Sequence, residues 1–325
     1  MHLHTWIAVA SLYRINPGEN EQLKHHCGTI YLNETKRPRF SSTGAAVPPN
    51  KYPFIAGIVS SKSDGDYRCT GVLISNRHVL TAAHCVYDLS RVEDSKNSCN
   101  PNGLLPIIDM TIYLGTKCPK PGECPNGEKR TPYKSRYINP HPLYNPCNNE
   151  NDIALVELDK DAKPGEASPI CMAEKNRQVE GPVTAVGYGM DARDRPDKME
   201  PGLQEVNLTA IQEGNGKIDT MDRLTTTCFG DSGGPLIRVE RSSKAVLFGI
   251  TSGGNINCSL ANPFKATELA HGLFIDVRHH LNWICDITGV CPLRATAYPN
   301  PLLDVEVSTM KASDIAEDME EDQFY

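Results

Sequence analysis

No stretch of the 325-residue chain reaches the ~18 consecutive apolar residues that a membrane-spanning helix needs. A basic excess is missing as well. The formal net charge is -7, and residues 292–325 carry eight acids (Asp304, Glu306, Asp314, Glu317, Asp318, Glu320, Glu321, Asp322) against two bases, Arg294 and Lys311. Everything before that tail is nearly neutral, and nothing in it suggests the clustered Lys/Arg face of a nucleic-acid-binding protein. The 12 cysteines include no CxxC pair with metal spacing, so disulfides and an oxidising compartment are expected rather than zinc. There is no internal repeat. A helical pattern occurs in one late segment, 276–285, with apolar Val277, Leu281, Trp283 and Ile284.

Apolar residues make up 39% of the chain and charged residues 22%, enough to build a packed core. From Phe54 onwards the apolar residues fall in strand-length runs separated by Gly, Pro, Asn and Asp. Examples are "FIAGIV" 54–59, "GVLIS" 71–75, "MTIYL" 110–114, "IALVEL" 153–158, "VTAVGYG" 183–189, "LQEVNLTAI" 203–211, "PLIRV" 235–239, "VLFGITS" 246–252 and "GLFIDV" 272–277. This texture predicts an all-β sandwich or barrel pair. Long polar insertions fall at 88–106 and 117–136. The expected organisation is a signal-peptide remnant at 1–13, an extended leader at 14–39 with the basic "KRPR" at 36–39, a folded body at 40–291, and a flexible acidic tail at 292–325. Three N-x-S/T acceptors, at Asn33, Asn207 and Asn257, agree with export.

The chemistry concentrates in "TTTCFGDSGGPL", 225–236. Ser232 stands between Gly230-Asp231 and Gly233-Gly234, where glycines allow backbone angles and close approaches closed to other residues. A serine in such a turn offers an exposed hydroxyl beside free N–H groups, which suits a nucleophile at an oxyanion site. A glycine-rich hairpin with a surface serine would read the same. Two further stretches decide between them. "LTAAHC" puts His84 after a β-like run, and "NNENDIAL" puts Asp152 at the mouth of an apolar strand. Singly, a histidine is usually structural and an aspartate before a strand is often a turn residue. Together they supply a base, an acid to orient it and a nucleophile, in the order His…Asp…Ser.

On "LTAAHC", "NDIAL" and "GDSGGPL", with "GYG" at 187–189 and the closing "LNWI", the chain resembles the chymotrypsin-like (trypsin-fold) serine proteases from about residue 54 to 285. The resemblance implies an all-β fold of two six-stranded antiparallel barrels packed face to face, with a C-terminal helix. It implies a secreted endopeptidase, made as a precursor. His84 would take the proton of Ser232 as it attacks a carbonyl, Asp152 would hold the imidazole, and the N–H groups of Gly230 and Ser232 would bind the oxyanion. It also implies three bridges: Cys69–Cys85, closing a loop worth roughly 3 kcal/mol; Cys228–Cys258 across the substrate pocket; and Cys27–Cys171, tying the leader to the body. The remaining six cysteines allow 15 pairings; Cys118–Cys124, Cys285–Cys291 and Cys99–Cys147 are the expectation. Partners would be protein or peptide substrates and protein protease inhibitors. The expectation is a monomer with no cofactor, no metal, no nucleic acid and no membrane.

The chain departs from that family in several places. In place of Ile-Val-Gly-Gly it has "RPRFSSTG". Arg39-Phe40 is the processing candidate, although counting back from Phe54 puts Ser41 first. The new amino group would pair with Asp231. The segment 213–227 is short, Gly253 stands where the family has a tryptophan, and 259–270 is enlarged. Thr226 falls at the floor of the substrate pocket, with Ser252, Gly254 and Gly272 along its walls. An uncharged floor predicts apolar or aromatic preference before the scissile bond, unless Glu268 enters the pocket. Two other readings stay open. One is an inactive homologue serving as a binding module. The other is an α/β-hydrolase esterase, which shares G-x-S-x-G but orders its triad Ser…Asp…His.

Overall fold

The computed structural model describes residues 12–32, 45–62, 65–87, 109–122, 124–190, 202–222, 227–254 and 270–292. One compact unit runs from Met1 to Leu293; a second, Arg294–Tyr325, lies outside the described residues. In chain order the elements are α1 (Pro17–His26), β1 (Ala45–Ala46), β2 (Ile55–Lys62), β3 (Gly65–Leu73), β4 (His78–Thr81), β5 (Met110–Leu114), β6 (Pro132–Pro140) and β7 (Ala154–Leu158). There follow β8 (Cys171–Met172), β9 (Gly181–Gly187), β10 (Gln204–Gly214), β11 (Lys217–Asp222), β12 (Pro235–Val239), β13 (Ala245–Gly254), β14 (Ala270–Asp276) and α2 (Leu281–Thr288).

Two antiparallel barrels result. The first closes in the order β2-β3-β4-β7-β6-β5. The second runs β10-β11-β14-β13-β12-β9, and pairing of β9 with β10 completes its ring. The two-barrel fold is therefore the one the resemblance implied. Strand alternation fills each interior. Along β5, Met110, Ile112 and Leu114 are buried while Thr111 and Tyr113 are half-exposed, the two-residue period of a sheet with one face in a core. β4 and β7 are buried on both faces. Val183, Ala185, Leu208, Ile218, Leu236, Phe248 and Phe274 form the core of the second barrel.

Three expectations need correction. The leader is not extended: 17–26 is a helix. Asn16 accepts a hydrogen bond from the Glu19 N–H (3.0 Å), Glu19 accepts one from the Asn16 N–H (2.7 Å), and Pro17 opens the first turn. This capping box satisfies donors the helix leaves free. The polar stretch 117–136 ends in strand, since β6 starts at Pro132. The late helix begins after, not at, Asp276. That residue ends β14 and caps a short 3-10 turn by accepting from Arg278 N (2.9 Å), so α2 starts at Leu281 and stops at Gly289 in the left-handed region (φ 77°).

The leader lies along the body. Ile15 N donates to Thr288 O (2.8 Å), Ala245 N to Gly28 O (2.8 Å), and Tyr52 N to Ile30 O (2.7 Å), while Cys27 is bonded to Cys171. Lys244 Nζ caps the end of α1 at the carbonyls of Lys24 (3.3 Å) and His25 (3.0 Å).

Candidate active site

The first barrel carries His84 and Asp152. β4 delivers His84 on the 3-10 turn Ala83–Cys85, and the Cys69–Cys85 disulfide fastens that turn to β3. Asp152 precedes β7 at the end of a tight turn, with Asn149 and Asn151 at φ 54° and 52°, a backbone region that asparagine tolerates better than most residues. Asp152 is fully buried. Its Oδ2 accepts from His84 Nδ1 (2.7 Å) and Ser252 Oγ (2.6 Å), and its Oδ1 from His84 N (2.9 Å). Burial alone would raise this carboxyl. The charge of His84 and the hydrogen bonds from its imidazole, Ser252 and the His84 N–H outweigh burial and hold it below the usual carboxylate value. An ionised carboxylate can only accept, so when His84 is neutral the network keeps its single proton on Nδ1. Nε2 is then left with a lone pair.

The second barrel supplies the serine. β12 pairs with β13, and the turn 227–234 that leads into it is tied to β13 at its last two residues. Gly233 N donates to Thr251 O (2.8 Å) and Thr251 N to Gly234 O (2.8 Å). Gly233 has φ +81°, and a Cβ there would lie 2.1 Å from Thr81 Oγ1 and 2.2 Å from Thr70 O. Only glycine allows the serine turn to press so closely on the first barrel. Gly230 also takes a positive φ (99°), with Tyr188 O 2.9 Å from the place of a Cβ.

Thr70 of β3, which sequence reasoning missed, joins the barrels. It is fully buried. Its N donates to Ser232 O (2.8 Å); its Oγ1 donates to Gly230 O (2.8 Å) and accepts from Tyr188 N (3.0 Å); its O accepts from Thr81 Oγ1 (2.8 Å). Asp231 points the other way, into a niche at the end of β9. Its Oδ1 accepts from Gly189 N (2.8 Å) and its Oδ2 from Cys228 N (2.8 Å). A Cβ on Gly187 or Gly189 would come within 2.2 or 2.3 Å of that carboxyl. Burial, partly offset by the two N–H donors, pushes its pKa up to about 6.

Of the pocket residues, Gly254 and Gly272 stand opposite each other on β13 and β14. A Cβ on Gly272 would meet Thr220 Oγ1 at 2.7 Å, whereas Gly253 faces open space. Ser252, expected along a cleft wall, donates its hydroxyl to Asp152. Phe229, beside Gly230, is 62% exposed. Thr226, Glu268, Arg39, Phe40, Cys258 and Cys99 lie outside the described residues. Cys118–Cys124 and Cys285–Cys291 are bonded, and Cys147 and Cys228 each belong to a disulfide. Ligand atoms of Cys69, His84 and Cys85 lie within 4.8 Å of one another, but the two sulfurs share a disulfide and are not the thiolates a metal needs. Among the described residues no helix is long and apolar enough to cross a membrane.

Residues 42–284 match the family model described as Trypsin. The chain is 28% identical to rat "Mannan-binding lectin serine protease 1" over 89% of its own length and 42% of that protein's. It is 30% identical to mouse "Serine protease 56" over 65% and 34%, so it spans well under half of these relatives. It is 26% identical to the "Collagenase" of Hypoderma lineatum, over 74% of the chain and 84% of that protein. A solved structure described as "Structure of GrC" superposes with a TM-score of 0.57 at 25% identity, covering 75% of this chain and 97% of that one.

Proposed function

The chain belongs to the Trypsin family, and from that premise we propose that it is a secreted serine endopeptidase working through Ser232, His84 and Asp152. One observation carries the proposal: the buried Asp152 carboxylate grips His84 at both Nδ1 and the backbone N–H, with Ser252 as a third donor. That arrangement fixes the tautomer in which Nε2 is a base. His84 Nε2 accepts the Ser232 proton as Oγ attacks the substrate carbonyl, and an acyl-enzyme forms when the proton passes to the leaving amine. Water then repeats the sequence in reverse. The N–H groups of Gly230 and Ser232 bind the developing oxyanion. Asp152 stays ionised and stabilises the imidazolium.

Relatives that are named serine proteases, and a disulfide-rich body, support an exported peptidase. The test is labelling by a fluorophosphonate. Parental protein should label at Ser232, and Ser232→Ala should abolish labelling without loss of fold. A folded parental protein that neither labels nor cleaves peptide even after cleavage at Arg39-Phe40 is the inactive homologue. Preference at the pocket is for large uncharged side chains, because Thr226 provides no carboxylate to pair a buried cation. Substrates differing only in Phe, Leu, Ala or Arg before the scissile bond decide this, and a strong Arg preference refutes it. Processing at Arg39-Phe40 delivers the amino group that pairs with Asp231, and Cys27–Cys171 keeps the leader attached. N-terminal sequencing of active material should find a terminus at 40 or 41; a sole terminus upstream of residue 36 in fully active protein overturns it.

A further inference from the structure

Strand β10 carries the sequence Asn207-Leu208-Thr209, and its two faces differ sharply. Leu208 is 3% exposed and packs into the second barrel with its cross-strand partner Val183. Asn207 and Thr209 are exposed, and so is Pro182, the partner of Thr209 on β9, while Thr184, the partner of Asn207, is half-exposed. Residues directly opposite on paired strands share a face, so these four form one outward patch of small side chains. Further along the same face, Glu205 and Val186 are buried, with Lys51 and Tyr52 lying over the Glu205 carboxylate and hydrogen-bonded to it. The patch begins where that cover stops.

We infer that Asn207 carries an N-linked oligosaccharide. The acceptor tripeptide N-x-S/T needs both an accessible asparagine amide and the hydroxyl two residues on. β10 presents the two on the same exposed face by strand alternation. Asn207 Oδ1 accepts from Thr184 Oγ1 (2.9 Å). That bond engages the carbonyl oxygen and leaves out Nδ2, the atom that receives the sugar. In the transfer, Nδ2 attacks C1 of the first sugar of a lipid-pyrophosphate-linked oligosaccharide. The N–C1 bond forms, the C1–O bond to phosphate breaks, the lipid pyrophosphate leaves, and Nδ2 gives up one proton. A bulky hydrophilic chain at this point rests on small polar side chains and displaces no core residue.

The position also limits what the carbohydrate touches. Gly187, three residues along β9 from Thr184, faces the other side of the sheet, where its missing Cβ makes room for Asp231. The oligosaccharide thus projects away from the niche of Asp231 and leaves the nucleophile turn untouched.

The inference rests on passage through the secretory pathway, part of the function proposed above, and the experiment separates the two. The full chain, routed by an added leader peptide through a eukaryotic secretory pathway, is digested with trypsin; the fragment 199–217 contains Asn207 as its one acceptor. Secreted protein should carry carbohydrate mass on that fragment, and an amidase that releases N-glycans should remove it and convert Asn207 to aspartate. Asn207→Gln and Thr209→Ala should abolish the modification, Thr209→Ser should keep it, and the rate of Ser232 labelling should be the same with and without it. A bare Asn207 in secreted, folded protein overturns the inference, whatever is found at Asn33 or Asn257. Export without the added leader tests the secreted reading on its own.

Discussion

Asp152→Asn changes one atom in a site whose donors outnumber its oxygens. Two carboxylate oxygens face three donors: Oδ1 meets the His84 backbone N–H, and Oδ2 meets His84 Nδ1–H and Ser252 O–H. A carboxamide offers one oxygen and one NH2. With its oxygen in the place of Oδ2, the NH2 opposes the backbone N–H of His84, and two buried donors go unpaired at a cost of about 1–3 kcal/mol each. With the amide flipped, the oxygen takes the backbone N–H and the NH2 donates to Nδ1, while the Ser252 hydroxyl turns to accept. Only the Ser252 proton then loses its acceptor, against two donors in the other orientation, so this arrangement wins. It requires an unprotonated Nδ1, which moves the proton to Nε2 and removes the base from Ser232. Turnover should fall by about 10⁴, or about 5 kcal/mol of barrier, with KM little changed. The assay compares peptide turnover and the fluorophosphonate labelling rate of the two proteins, with unfolding midpoints to show that the variant is folded. A folded Asp152→Asn protein within about tenfold of the parental rate would refute the tautomer argument.

Gly189→Ala would set a Cβ about 2.3 Å from the Asp231 carboxyl; labelling at Ser232 should be lost while far-UV circular dichroism is retained, and an active variant would show that Asp231 can move without harm. Lys51→Met removes the cation that meets both oxygens of buried Glu205 (2.6 and 2.5 Å) and should cost roughly 3–5 kcal/mol in urea unfolding. Lys51→Met combined with Glu205→Leu and with Tyr52→Phe, which removes the hydroxyl that also donates to Glu205, should recover much of that loss, and if it recovers nothing the loss is one of packing. Burial lowers His78 and His280 from 6.5 to about 4. The unfolded chain therefore binds the extra protons between those values, and their contribution, present above pH 6.5, is lost as pH falls towards 4, by at most about 3 kcal/mol each. Unfolding midpoints from pH 7 to 4.5 should fall, and His280→Phe should flatten the fall; an unchanged slope would show that His280 ionises freely in the folded state.

How far the sequence discloses this molecule depends on the range of the interaction. His84, Asp152 and Ser232 could be read because each stands in a short motif whose glycines, cysteines and apolar strands are its immediate neighbours. β11 was missed because "KIDTMD" has only two buried positions, Ile218 and Thr220. The signal lay one step earlier, in Asn215-Gly216, both at positive φ (50° and 72°), the two-residue turn that joins β10 to β11. Helix α1 was likewise legible in its cap, Asn16-Pro17 followed by Glu19, but its polar surface hid it, with Asn20 as its one buried residue. It is held by docking and by Cys27 more than by an apolar stripe of its own. Thr70 is a different case. A threonine in a strand is ordinary, and no pattern around it marks it. Its partners Gly230 and Ser232 are about 160 positions away, and they meet it because two barrels, each specified by its own alternation, close face to face. Local sequence therefore specifies the groups proposed to do the chemistry. Their spacing is set by a buried hydroxyl and a backbone amide on the opposite barrel, which acquire that role only once both barrels exist.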